Sequence, residues 1–224
     1  MIVDVLDQLD AQVALLPLAA VKDNMDPGFD AMARWIDRLS AHERAEVVAA
    51  LPSWLVDDRS WHERAVSEIA LRLRSTDLLD AAIAHARTLG VHTLVASHGY
   101  PPWLTYQLSL LSVISRWPGD PGTEAHGYLD HLRELGLRDS SYSSRLLGIR
   151  AWFTECLLNS PSARERCLDP AITALRNWGD SRLLRSGLAL LHAYFAASSS
   201  DVAALEGLLT PDEFAIAFPE RGRS

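Results

Sequence analysis

A twelve-residue segment of this chain occurs twice. Leu79-Asp80-Ala81-Ala82-Ile83-Ala84-His85-Ala86-Arg87-Thr88-Leu89-Gly90 aligns without a gap on Leu168-Asp169-Pro170-Ala171-Ile172-Thr173-Ala174-Leu175-Arg176-Asn177-Trp178-Gly179, with six of the twelve positions identical. A third stretch ends in the same way: Arg133-Glu134-Leu135-Gly136 reads, like the last four residues of each copy, as Arg, polar, large apolar, Gly. The three glycines fall at intervals of 46 and 43 residues, within the range of about 40 to 47 expected when each repeat is a pair of helices. Such a unit cannot bury its apolar stripe alone. It must stack on its neighbours, which restricts the chain to a helical, layered architecture.

Local signals agree with helices of that length. Glycine just past the last apolar residue can take the left-handed conformation that closes a helix, so Gly90, Gly136 and Gly179 read as C-terminal caps. Ser40 to Glu43, Ser60 to Glu63 and Ser162 to Glu165 have the spacing at which a hydroxyl and a carboxylate satisfy orphan amides reciprocally. Asp26-Pro27, Asp120-Pro121 and Thr210-Pro211 place a capping residue before a proline at the first helical position. The doubled His-Glu-Arg-Ala at 42–45 and 62–65 falls in two such first turns, and its glutamates need no catalytic explanation. These signals predict helices over 2–19, 27–38, 41–51, 60–74, 76–89, 101–117, 121–135, 140–158, 162–178, 181–198, 201–208 and 211–218. Val91 to Val95 is the one short strand candidate.

Periodicity assigns faces to these helices. Leu146, Ile149, Phe153, Cys156 and Leu157 line one side of their helix, and Leu184, Leu188, Leu191 and Phe195 line one side of theirs. The segment Trp103 to Trp117 is apolar on more than one side and should be central. Gly148 and Gly187 fall inside helices, where glycine costs about 1 kcal/mol relative to alanine, so each should mark a close approach of backbones. Trp35, Trp61, Trp152 and Trp178 fall on apolar stripes and read as core.

With its repeated helix pairs over roughly 60–198, Pro101 early in one helix and the Asp80/Arg87 and Asp169/Arg176 pairs, the chain resembles the HEAT-repeat superfamily. The resemblance implies an all-α superhelix, or solenoid, of antiparallel helix pairs at roughly 27–51, 60–90, 101–136, 140–179 and 181–208, forming one domain over 1–224. It also implies a curved surface for binding macromolecules, most often protein.

Charge narrows the partners. The formal net charge is −8, which argues against a nucleic-acid binder, since displacing phosphate counterions takes an excess of Lys and Arg. Residues 1–60 carry eleven acids against five bases, whereas 131–190 carry six acids against nine arginines. A partner with a basic surface would be drawn to the acidic front. The N-terminus has no basic leader pattern and no window approaches the about 18 uninterrupted apolar residues of a membrane span, so the expectation is a cytoplasmic protein with no membrane partner. Cys156 and Cys167 lie in apolar helical contexts and read as small buried hydrophobes.

Three groups of residues stand out as candidate sites. Arg87, Arg133 and Arg176 would stack as a ladder able to grip phosphate or an acidic partner, although a cation in the last helical turn is also favoured by the helix dipole. Residues 122–136 hold Glu124, His126, Asp130, His131 and Glu134, but these diverge around the helix, so a solvated face is preferred to a metal site. Ser97 to Trp103, with Tyr100 and Trp103, could line a pocket or interface, or be a packed start of a helix. The second helices of successive pairs would line the concave side, giving a polar strip of Asp80, Arg87, His126, Asp130, Asp169 and Arg176 as the expected recognition surface. No nucleophile elbow or phosphate-cradling glycine loop occurs, and no cofactor is implied.

The resulting expectation is a non-enzymatic protein-interaction module, such as an adaptor or a bacterial immunity or inhibitor protein acting on a basic partner. Two alternatives are a nucleic-acid-acting enzyme resembling the HEAT-like alkylpurine DNA glycosylases and a small-molecule-binding helical protein.

Overall fold

Residues 7–11, 32, 34–55, 60–89 and 102–221 are described by the computed structural model, and every regular element among them is helical. The chain divides into two compact units, the first comprising residues 1–90 and 98–125 and the second residues 91–97 and 126–224. Among the described residues no helix is long and apolar enough to cross a membrane.

The first unit contains α1 (Ala41–Ala50), a 3-10 turn (Leu51–Leu55), α2 (Ser60–Leu73), α3 (Thr76–Leu89) and α4 (Pro102–Ser115). The first of these starts as the sequence predicts: the Glu43 amide donates to Ser40 Oγ (3.3 Å) and the Ser40 amide donates to Glu43 Oε2 (2.7 Å). On α3, Leu79, Ile83 and Ala86 are buried together with Leu78 and Ala82, and the 3-10 turn packs on α1, α2 and α3. As expected of a helix with little polar face, α4 is central, packing against both α2 and α3. Leu104, Tyr106, Leu110, Leu111, Val113 and Ile114 are all buried along it. The Tyr106 hydroxyl avoids an unsatisfied burial by donating to the Ala82 carbonyl at 3.0 Å, a bond worth about 1 kcal/mol.

The boundary between the units falls within α5 (Thr123–Arg138). In the second unit α6 (Tyr142–Leu158) packs on α7 (Pro161–Asn177) and on α8 (Ser181–Phe195). Beyond these, α9 (Ser199–Leu208) packs on α7, and α10 (Pro211–Ala217) packs on α8. Thr210 and Glu213 form the complete reciprocal cap of α10, with Pro211 in its first turn. Gly179 closes α7 with φ +67°, the left-handed region that an L side chain rarely adopts.

Gly136 is not a cap. It lies inside α5, which continues to Arg138, and it is there because α5 and α6 cross at that point: a Cβ on Gly136 would stand 2.9 Å from the Gly148 Cα. Gly148 therefore marks the close approach of backbones expected of it; Gly187 does not, because what a Cβ there would meet is the Leu175 side chain and not another backbone. Two helix starts also differ from expectation. Asp120 Oδ1 accepts from the Gly122 amide (2.9 Å), turning the chain before α5 begins at Thr123, and α7 begins at Pro161 rather than at a Ser162 cap. On α8 the buried stripe is Leu183, Gly187, Leu188, Leu191 and Phe195, with Leu184 half-buried.

The cysteines are joined. Cys156 on α6 and Cys167 on α7 form a disulfide with their Cα atoms 5.5 Å apart, so they are a cross-link between packed helices and not independent hydrophobes. The expected strand at 91–95, the Asp26-Pro27 start, the Gly90 cap, the Ser60 to Glu63 box, Trp61 and Tyr100 lie outside the described residues or side chains.

Candidate functional site

Of the polar-strip residues, Asp80 and Arg87 belong to the first unit, whereas His126, Asp130, Asp169 and Arg176 belong to the second, as does Arg133 of the arginine ladder. The three arginines do not share one environment. Arg87, in the last turn of α3, donates to Glu124 Oε2 at 2.8 Å. Arg176, in the last turn of α7, forms a two-pronged pair with Glu213, Nε to Oε1 at 3.0 Å and an Nη to Oε2 at 2.6 Å, and also donates to the Leu208 carbonyl at 2.9 Å. Arg133 is not in a last turn, because α5 runs on to Arg138, and it pairs with Asp130 one turn back on its own helix. The glutamates thus occupy Arg87 and Arg176, and a phosphate ladder has no vacant guanidinium at either position.

The potential ligand set on α5 is likewise dispersed into separate pairs. Glu124 goes to Arg87, His126 Nδ1 lies 3.2 Å from Glu155 Oε2, and Glu134 lies 3.1 Å from Arg138. Among the described residues no three His, Cys, Asp or Glu side chains converge as a metal ion would require. Trp103 is half-buried in the first turn of α4.

What the first unit does assemble is a group of carboxylates. Asp80 is half-buried on α3, and its carboxyl is held above its ordinary value, first by desolvation and then by the charges of Glu124 and Asp77. Arg87 answers Glu124, but among the described residues no cation is paired with Asp80. The local potential is negative, as is the unit: it carries seventeen acids against ten bases, compared with twelve against eleven in the second unit.

The second unit holds a different feature, a recess of about 570 Å³ lined by Leu137 of α5, Trp152 of α6, and Arg166, Asp169, Pro170, Thr173, Ala174, Asn177 and Trp178 on and just after α7. Residues 166, 170, 173 and 177 recur at helical spacing and so form one stripe of α7. Trp152 and Trp178, expected in the core, are half-buried here. Leu137 is 57% exposed, and among the described residues Ile216 is the other large apolar side chain that is exposed. The Arg145 guanidinium lies over the Trp178 ring, 5.5 Å from its centroid. Of these residues the sequence marks only Asp169 as a candidate site residue, because the recess is assembled from three helices and no local spacing encodes it.

No protein-family model matches the chain, and no curated protein or solved structure matches it either.

Proposed function

We infer that this chain is a non-enzymatic protein-interaction module of HEAT-like stacked helix pairs, whose first unit receives a partner with a basic surface at Asp77, Asp80 and Glu124. The observation that carries this reading is the placement of the half-buried Asp80 beside Asp77 and Glu124 in a unit with an excess of acids. Desolvated and facing two like charges, Asp80 destabilises its own ionised form, and a lysine or arginine brought by a partner would relieve that cost. The acid excess of the first unit supports the same direction by steering a basic partner towards it. The order of packing in the second unit, α6 on α8 on α10 and α7 on α9, supports the stacked-pair reading, since alternate helices of a solenoid form two layers. The engagement of Arg87 and Arg176 by glutamates weighs against the nucleic-acid reading.

Affinity capture from native lysate with the wild-type chain and with an Asp77→Asn, Asp80→Asn, Glu124→Gln variant tests this. A basic protein retained by the wild type and lost by the variant is the expected result. Equal recovery by both chains, or capture of duplex DNA in place of protein, would overturn it.

A further inference from the structure

The recess of the second unit has no part in the reading above. Its volume of about 570 Å³ lies within the about 300 to 1,000 Å³ typical of small-molecule sites. Its composition is that of such a site: an apolar floor with a few polar groups at fixed places. Trp152, Ala174 and Trp178 provide the floor, Leu137 and Pro170 an exposed apolar rim, and Arg166, Asp169, Thr173 and Asn177 the polar groups.

Three features select the ligand. First, the two indoles are half-buried and retain exposed ring surface, which favours a flat aromatic group able to cover them. Second, the lining holds one cation, Arg166, beside one acid, Asp169, and a further cation, Arg145, stands behind Trp178. Arg166 is exposed, and the charge of Arg145 also acts on Asp139. Asp169 is the single acid of the lining, and its field also acts on Arg176. Third, the walls are fixed in advance. Trp152 lies one turn before Cys156 and Arg166 directly precedes Cys167, so the disulfide clamps the α6 wall to the α7 wall. A preformed site loses less freedom when it binds. Pro170 adds an acceptor, because it has no amide hydrogen to donate to the Arg166 carbonyl.

We propose that this recess binds a small planar aromatic anion, its ring against Trp152 and Trp178 and its carboxylate or phosphate on Arg166. Arg166 presents a planar fork suited to either anion.

The test uses the full-length oxidised chain and calorimetric titration with 2-naphthoate, 2-naphthyl phosphate, the neutral 2-naphthalenemethanol and the non-aromatic cyclohexanecarboxylate. Saturable binding of at least one naphthyl anion at a single site is expected, at least about fivefold tighter than the neutral alcohol and than cyclohexanecarboxylate, since one good charge-assisted bond is worth about 1 kcal/mol or more. Arg166→Gln should bring the anion down to the affinity of the alcohol, and Trp152→Leu should weaken both. Arg166 is exposed, so its variant will fold even if the tryptophan variant does not. Unchanged anion affinity in Arg166→Gln, or no saturable binding of either naphthyl anion at millimolar concentration, would overturn the proposal.

Discussion

Arg87 in the first unit and Arg176 in the second occupy the same place in the internal repeat, and each reaches a glutamate 37 residues further along the chain. Their settings nevertheless differ. Glu213 is only 13% exposed, is met by two nitrogens of Arg176, and closes the cap of α10 with Thr210. Its carboxyl is consequently held down at about 2, chiefly by Arg176. Glu124 is 52% exposed, is met by one nitrogen of Arg87, and lies beside two further carboxylates. One contact is a structural clasp, while its counterpart sits in a negative patch. Position in a repeat therefore indicates which side chains meet, and the surroundings decide whether the meeting stabilises the fold or leaves a charge for something else.

The largest effect expected is in the second unit, at the crossing of α5 and α6. Gly148→Ala would place a Cβ 2.9 Å from the Gly136 Cα and 3.1 Å from the Leu132 carbonyl oxygen, both backbone atoms that cannot swing aside. A loss of about 3 kcal/mol in urea unfolding is expected, at the upper end for overpacking. A loss below about 1 kcal/mol would mean that the helices separate easily there.

Opening the disulfide should cost nearly as much. It closes a loop between residues 11 apart, for which chain entropy gives about 3 kcal/mol. Reduction, followed by urea unfolding against the oxidised chain, checks this, and an unchanged midpoint would contradict it.

The two arginine pairs can be compared directly. Glu213→Gln should cost about 1 kcal/mol, because it removes two charge-assisted hydrogen bonds whose carboxylate is shielded although the guanidinium is partly exposed. Arg87→Gln should stay within about 0.5 kcal/mol, as exposed pairs do. The Glu213 contribution also has a pH signature. A carboxyl depressed to about 2 from an ordinary 4.5 contributes stability that is fully present above pH 4.5 and lost as pH falls towards 2. The gap between wild type and Glu213→Gln should therefore shrink over that window; a constant gap would show that the ion pair is not its source.

Much of the helical framework was legible in the sequence, because caps are local. Ser40 with Glu43 and Thr210 with Glu213 announce their helices within four residues. Gly136 was misread for the complementary reason: its meaning depends on Gly148, on the next helix, and a glycine three residues after an arginine looks like a cap until that crossing is known. The cysteine pairing was hidden in the same way, since only the packing of α6 on α7 brings Cys156 to Cys167. The carboxylate patch was half visible. Asp80 stands out through the repeat, but its neighbour Glu124 groups by spacing with the residues of its own helix, whereas its ion pair is with Arg87 on α3.

The central claim is that Asp80 is left wanting a cation. Its side-chain carboxyl carbon can be followed by NMR through a pH titration, with and without a lysine-rich peptide. In the free chain the midpoint should lie above the ordinary 3.8, because desolvation, Glu124 and Asp77 all raise it. A raised carboxyl favours the folded state below 3.8 and opposes it as pH rises through the folded midpoint, so Asp80→Asn should unfold at slightly higher urea than wild type at pH 7. Adding the peptide should move the Asp80 midpoint down. A free-chain midpoint at or below 3.8 that the peptide leaves unmoved would contradict the claim.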